Sequence, residues 1–218
     1  MKQNKLIIFD LDNTILTGDS DYSFINFLIS KNLLNRKLRK KNDMFLKAFE
    51  KGTLNFQDWG KFSLEFFYNK KEGHVQDLIS EFISETIEPM INISMLRVIH
   101  NHNDRGDILL LASATNEILV RPIGARLGFK NIIASRVRVN DGKYTNEFIN
   151  PPAIGEGKLM HVQSWCADKG FLLEDATFYS DSIYDLPLLG SVKEPIAVNP
   201  DQHLLEIADK KGWEVIKT

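Results

Sequence analysis

Lys5-Leu6-Ile7-Ile8-Phe9-Asp10-Leu11-Asp12-Asn13-Thr14 is an apolar run that ends in two carboxylates with one residue between them. A short β-branched and aromatic run bounded by polar residues has the pattern of a buried parallel strand, which puts Asp10 where the strand leaves its sheet. Ligands of open α/β sheets bind beyond such ends. Two acids at that edge repel each other unless a cation, a shared proton or a chemical task holds them together. The same letters fit an Asx turn closing the strand, with Asp12, Asn13 and Thr14 as turn residues. D-x-D-x-T is short enough to arise by chance, so the choice between turn and site rests on the rest of the chain.

With 218 residues, 43% hydrophobic and 26% charged, the chain suits one α/β domain or such a domain carrying an insertion. A formal net charge of −2 gives no electrostatic case for nucleic-acid binding. The single cysteine, Cys166, cannot form an internal disulfide and falls in a helical pattern, where a small buried residue in a reducing compartment is expected. The chain runs from Met1 straight into its first strand, leaving no room for a signal peptide, and no apolar run reaches membrane-spanning length. A soluble cytoplasmic protein without stable membrane insertion is the expectation.

Residues 18–90 carry no convincing strand and read as an inserted helical cap domain, with residues 1–17 and 91–218 forming the α/β core. A helix over residues 22–34 sets Tyr22, Ile25, Ile29 and Leu33 along one side. After the basic residues Arg36, Lys37, Arg39, Lys40 and Lys41, the pattern resumes through Phe45, Leu46 and Phe49 to a stop at Gly52. Asn55 is the N-cap of a third helix carrying Phe56, Trp59, Phe66 and Phe67. A fourth carries Val75, Leu78, Ile79, Phe82 and Ile83 until Pro89 ends it. So many large apolar side chains are expected to be bundle core rather than a ligand stack.

From about residue 92 helices and strands alternate, the pattern of a Rossmann-like parallel sheet with crossover helices. A hairpin turning at Asp141-Gly142 joins the edge of that core. Three strands end in reactive polar groups, Asp10, Ser113 and Asp181, and in a parallel sheet those ends share one edge. Asp185 lies four residues past Asp181 and can face the same crevice; Lys158, in the first turn of its helix, adds a positive charge. Asp10, Asp12, Asp181 and Asp185 against one lysine make a self-repelling cluster that calls for a cation. Oxygen donors without nearby His or Cys select Mg²⁺, which keeps several waters and shares its coordination with substrate phosphate. Metal, Lys158, a serine hydroxyl and free backbone N–H groups would then receive a phosphoryl group.

In chain order, D-x-D-x-T (Asp10, Asp12, Thr14), a strand ending in Ser113, G-x-G-K (Gly155, Gly157, Lys158) and S-D-S-x-x-D (Ser180, Asp181, Ser182, Asp185) resemble the haloacid dehalogenase superfamily over nearly the whole chain. Helices inserted after the first motif resemble its C1-type cap. Runs such as Ser113-Ala114-Thr115 and Ala197-Val198-Asn199-Pro200-Asp201 resemble the subfamily of phosphoserine phosphatase-like and histidinol-phosphatase-like hydrolases. The resemblance implies an Mg²⁺-dependent phosphatase acting on a small phosphorylated metabolite. Asp10 would be the nucleophile that becomes an aspartyl phosphate, and Asp12 the acid and then the base. Mg²⁺ would be held by Asp10, the main-chain carbonyl of Asp12, and Asp181. Ser113, Ala114 and Lys158 would grip the phosphoryl oxygens. Asp185 would orient Lys158 or the metal's ligands, with Ser182 beside it, and Thr14 would fix the loop. Many phosphoserine phosphatase-like sequences have glycines after the motif serine and Asn before the last Asp. Ala114-Thr115 and Tyr184 stand there in this chain, which puts phosphoserine in question as the substrate.

Asp19, Asp21 and Tyr184 are the substrate-pocket candidates. Asp19, Ser20 and Asp21 could contact a substrate amine or serve as a hinge or helix N-cap. The basic run at residues 36–41 fits a solvated helix face or a docking surface for an anionic membrane. His100 and His102 are expected to be exposed at a helix end, and His161 to stand near the site or against the sheet. Two further functions suit the same residues: a lipid-headgroup phosphatase at a membrane surface, and a catalytically silent phospholigand-binding protein on the same fold.

Overall fold

The computed structural model describes residues 4–218. β1 (Leu6–Phe9) is buried along its whole length, as a strand with neighbours on both sides and cover on both faces must be. The insertion follows: α1 (Ser20–Ser30), α2 (Leu38–Glu50), α3 (Phe56–Leu64), α4 (Gln76–Phe82), a π turn (Ile83–Ile87) and α5 (Glu88–Met90). Then come α6 (Ile93–Asp104), β2 (Ile108–Asn116), α7 (Glu117–Arg126), β3 (Asn131–Ser135) and the hairpin β4 (Val137–Asn140) and β5 (Lys143–Phe148). The chain closes with α8 (Glu156–Lys169), β6 (Thr177–Ser180), α9 (Leu186–Leu189), β7 (Glu194–Val198), α10 (Gln202–Lys211) and β8 (Glu214–Ile216).

Six strands form one parallel sheet in the order β3-β2-β1-β6-β7-β8. Phe9 lies opposite Leu111 on one side and Tyr179 on the other, so the residues just beyond these three emerge together at the C-terminal edge. The chain steps outward one way through β2 and β3 and the other way through β7 and β8. The reversal falls between β1 and β6, the place where such sheets open a crevice. Alternate residues of β1 feed two apolar clusters, Ile7 and Phe9 on one face and Leu6 and Ile8 on the other. Each fully buried side chain of this size contributes about 1.5–3 kcal/mol.

The insertion leaves and returns through a neck in which Leu16 pairs with Ile91, the Thr17 N–H donates to Met90, and the Asn92 N–H donates to Ile15. Its helices are not equally tied to the sheet. Phe24, Phe27 and Leu28 of α1 and Phe82 of α4 belong to the same cluster as Ile7 and Phe9, whereas Ile25, Ile29, Phe45 and Phe62 form a small cluster of their own among α1, α2 and α3. The hairpin braces this outer part. Asn69 and Lys70 exchange backbone hydrogen bonds with Tyr144, and Phe148 packs against Phe56 and Trp59.

Several local expectations are corrected. The first helix stops at Ser30, Asn32 takes a left-handed turn (φ 58°), and Leu33 is exposed rather than part of the buried stripe. Pro89 does not end the fourth helix. A π turn widens the chain ahead of it, and Pro89 sits in the first turn of α5, where its missing N–H costs nothing. His100 is exposed, but His102 is mostly buried, with Asp107 2.8 Å from Nδ1 and the Tyr179 hydroxyl 3.1 Å from Nε2. His161 faces neither site nor sheet but the Pro151 carbonyl, 2.8 Å away. Cys166 is buried, and the basic residues Arg36, Lys37, Arg39, Lys40 and Lys41 are exposed. Among the described residues, no helix is long and apolar enough to cross a membrane.

Candidate active site

Asp10 continues β1 by one residue, its N–H donating to the Tyr179 carbonyl at 2.9 Å, and the residue is 6% exposed. Opposite it, two glycines allow α8 to start hard against the preceding loop. Gly155 has φ 55°, and a Cβ on Gly157 would lie 2.1 Å from the Pro152 carbonyl oxygen. Lys158, one residue on, therefore points its chain into the sheet edge. Its Nζ donates to Asp10 and to Asp185, 2.8 Å from each. The Ser180 hydroxyl donates to the same Asp185 at 2.7 Å. Asp185 closes a short 3₁₀ turn in which the Ile183 N–H donates to Asp201 and the Tyr184 N–H to the Ser182 hydroxyl. Thr14 donates to Asp181 at 3.1 Å, so the loop residue of the first motif holds the acid of the last.

The second acid of the opening pair is held differently. Asp12 accepts the Ser20 N–H at 2.6 Å on one oxygen and the Thr115 hydroxyl at 2.8 Å on the other. Thr115 was not foreseen as a site residue. Ser113 is fully buried and its hydroxyl accepts the Thr115 N–H, while Ala114, also expected at the phosphate, and Thr115 face the cavity. The cause is local: the pairing of β2 with β3 slips between Ala112 and Asn116, and such an irregularity re-aims side chains away from strict alternation. Asp19 is the N-cap of α1, accepting from the Tyr22 N–H at 2.7 Å, and also faces the cavity. Asp21 does not. It is buried behind the wall, where Asn116 donates to one oxygen at 2.7 Å and the other has no hydrogen-bond partner among the described residues.

The cavity over this edge has about 750 Å³ of empty volume, its mouth included. Its floor is Asp10, Asp12, Ala114, Thr115, Lys158, Asp181, Ser182 and Asp185. The far wall comes from the insertion: Tyr22 of α1, Asn42, Phe45, Leu46 and Phe49 of α2, Leu54, and Phe56 and Trp59 of α3. The expectation that the insertion's aromatics are core alone is thus corrected. Phe67 and Phe82 are core, while Phe45, Phe49, Phe56 and Trp59 pack against neighbours with one side and line the cavity with the other. Tyr184 joins the two walls, its ring stacked on Phe49 at 4.8 Å and its hydroxyl donating to the Phe49 carbonyl at 3.3 Å.

Burial, reinforced by Asp185 and Asp12, pushes the Asp10 carboxyl up to about 7, although Lys158 pulls it down. Asp12 is likewise raised to about 7, by burial first and Asp19 second. Burial also lifts Asp19, and lifts Asp21 and Asp181 well above the ordinary carboxylate value, Asp181 with Asp10 and Asp185 adding repulsion. Burial alone would lower the Lys158 pKa, but Asp10 and Asp185 outweigh it and keep the ammonium charged. Among the described residues, no three His, Cys, Asp or Glu side chains surround one point. Two mutually repelling carboxylates, Asp10 and Asp181, nevertheless form an oxygen donor set whose chemistry fits a hard divalent cation.

The family model for haloacid dehalogenase-like hydrolases matches residues 7–190. A protein of Neisseria meningitidis serogroup C named histidinol-phosphatase is 36% identical over 216 residues, 97% of each chain. A solved Bordetella pertussis Tohama I protein of unknown function is 33% identical with a TM-score of 0.89, covering 98% of this chain and 99% of its own. A substrate-bound phosphoserine phosphatase superposes with a TM-score of 0.72 at 20% identity, covering 99% and 94%. The last match speaks to the fold, an α/β sheet flanked by helices.

Proposed function

This chain belongs to the haloacid dehalogenase-like hydrolase family and is a phosphatase of that family, and we propose that it hydrolyses a small phosphomonoester through an aspartyl phosphate on Asp10, with Mg²⁺ as cofactor. The observation that carries this reading is the placement of Lys158 between Asp10 and Asp185, with Asp12 held separately by Thr115 and Ser20. The two acids of one motif have different surroundings, which supports assigning them different work.

In this mechanism an Asp10 oxygen attacks phosphorus in line while the bond from phosphorus to the alcohol oxygen breaks. Asp12 delivers a proton to that departing oxygen. In the second half, Asp12 takes a proton from water as the water attacks the phosphorus of the aspartyl phosphate, releasing inorganic phosphate and restoring Asp10. Lys158 neutralises charge on the attacking carboxylate and on the phosphoryl oxygens, and Asp185 with Ser180 holds its ammonium in place. Thr115 and the Ser20 N–H fix the Asp12 carboxyl, while Ser113 supports the Thr115 backbone behind it. Asp10, Asp181 and the Asp12 carbonyl would hold Mg²⁺, which would supply electrostatic screening so that an anionic nucleophile can approach phosphate. Residues 18–90 are proposed as a cap, its outer helices α2 and α3 opening for substrate and closing on it.

Turnover of p-nitrophenyl phosphate by the purified protein, with Mg²⁺ and with chelator, tests the reading. Metal-dependent release of phosphate is the expected result. Absence of turnover at any Mg²⁺ concentration would reject it in favour of a silent binding protein.

A further inference from the structure

Residues 36–51 hold seven basic side chains and two acidic ones, a net of +5 in a chain whose net charge is −2. The excess is sorted by the helix that carries it. Lys37, Lys40, Lys41, Met44, Lys47 and Lys51 recur at helical spacing from the N-cap to the C-cap of α2, which puts them along one stripe, and all six are exposed. The opposite face holds Asn42, Phe45, Leu46 and Phe49, which line the cavity. Neither acid stands on the stripe, and Asp43 accepts the Tyr22 hydroxyl at 2.8 Å. Among the described residues no carboxylate forms an ion pair with any of the five lysines, and Lys41 reaches over the Phe62 ring instead, 5.1 Å from its centre.

The helix itself has no use for most of this charge. It begins on Lys37 with no side chain capping its free N–H groups and no acid in its first turn. Lys37, Lys40 and Lys41 therefore stand at the positive end of the helix dipole, where cations are unfavourable; only Lys47 and Lys51 lie toward the end that welcomes them. An anionic partner outside the chain relieves both that conflict and the repulsion among the lysines.

Two features choose among anionic partners. Met44, 56% exposed, lies in the middle of the stripe, beside an apolar groove floored by Leu34, Leu38, Phe45 and Phe62. The α3 side of that groove carries Asp58, Lys61 and Glu65, so the excess of positive charge belongs to α2. Apolar side chains framed by lysines suit a bilayer surface, whose phosphates meet the ammonium groups while the acyl boundary takes the thioether. A nucleic-acid strand is held by aromatic stacking as well as charge, and no side chain of the stripe is aromatic.

We infer that the outer face of α2 is a docking surface for a bilayer rich in anionic phospholipid, held by the lysine stripe and by Met44. The contact is peripheral and reversible, because it rests on charge and a small apolar area. It is independent of the chemistry proposed for the cavity, although one helix carries the docking surface on one face and the cavity wall on the other.

The experiment sediments the purified protein with vesicles of phosphatidylcholine alone and of phosphatidylcholine with about 30% phosphatidylglycerol, at about 20 mM and about 300 mM salt. Binding is expected to the anionic vesicles at low salt, weakened at least about tenfold at the higher salt, with none to the neutral vesicles. A Lys37→Gln/Lys40→Gln/Lys47→Gln variant should lose about tenfold or more in affinity for the anionic vesicles, and Met44→Ser a smaller factor. Lys169→Gln/Lys210→Gln, which removes two exposed lysines elsewhere, should bind as wild type does. Thermal melting checks that each variant is folded, and the wild-type comparison of the two vesicles decides even if one is not. No binding of wild type to anionic vesicles at low salt, equal binding to both vesicles, or full binding by the folded triple variant would overturn the inference. So would a labelled single-stranded DNA that bound wild type more tightly than the anionic vesicles, which would assign the stripe to nucleic acid.

Discussion

The two ends of the cavity are built from different parts of the chain and under different rules. The floor is assembled from strand ends and the start of α8, its groups locked by short hydrogen bonds: Asp10 to Lys158, Lys158 to Asp185, Asp12 to Thr115. The far wall is assembled largely from α2 and α3, which share a small apolar cluster with α1 and are braced by Tyr184 at the floor and by Phe148 of the hairpin. A rigid floor and a lightly anchored wall suit an enzyme in which chemistry is fixed and selection of the leaving group is carried by a part that can move.

If that division is right, substitutions in the floor change turnover with every ester, and substitutions in the wall change the choice among esters. The largest effect is expected at Asp10. Asp10→Asn should lower kcat for all substrates by on the order of 10⁴-fold or more, since the nucleophile is lost; comparable activity in that variant would remove the floor's central group from the mechanism. In single turnover, Asp12→Asn should slow formation of the aspartyl phosphate about 10²–10⁴-fold with alkyl phosphates and clearly less with p-nitrophenyl phosphate, whose leaving group needs little help from an acid. Equal losses on both would break the assignment of Asp12 as proton donor.

Smaller effects sharpen the comparison. Thr115→Val removes one hydrogen bond to Asp12 and should slow alkyl ester turnover about tenfold, the scale of roughly 1.4 kcal/mol, with Thr115→Ser recovering most of it. A loss that does not depend on the leaving group would make Thr115 a packing residue only. Trp59→Ala should raise KM for a ring-bearing ester several-fold and leave phosphoethanolamine nearly unchanged, which steady-state kinetics on the two esters can check. A uniform loss in kcat would mean that wall and floor are not separable.

Acid–base linkage gives the smallest and most diffuse prediction. Asp10 and Asp12 are raised to about 7 from 3.8, so the folded protein binds more protons than the unfolded chain across that range. Stability from such groups is complete below the unfolded pKa and is lost as pH rises through the folded one. Without metal, Tm should therefore be higher at about pH 5.5 than at about pH 8 by a few degrees. Mg²⁺ should recover Tm mainly at the higher pH. A metal-free protein that becomes more stable between these two values as pH rises would contradict the sign.

The floor was legible in the sequence because its signals are local and chemical. An apolar strand followed by acids, glycines before a lysine, and a second strand ending in Asp181 each mark one strand or helix end, and parallel topology brings the ends together. Thr115 escaped because the apolar run was read as ending at Ser113, whereas β2 continues to Asn116, and the slip in pairing after Ala112 is invisible in the letters. The wall escaped for a different reason. Helical periodicity reports that Phe45, Phe49, Phe56 and Trp59 are turned inward, but it cannot distinguish a neighbour's side chain from a cavity. Pro89 was misplaced because a π turn has no sequence signature, and His102 because its partners, Asp107 and Tyr179, lie on other elements.

The most direct test of the account is to trap the covalent state. The Asp12→Asn variant, which retains the nucleophile and lacks the base for the second step, is mixed with Mg²⁺ and p-nitrophenyl phosphate, whose leaving group departs without an acid, quenched in acid, digested and mapped by mass spectrometry. The account predicts phosphate on Asp10 and on no other residue. Phosphate on a different side chain, or multiple turnovers in the variant with Asp10 never modified, would contradict it.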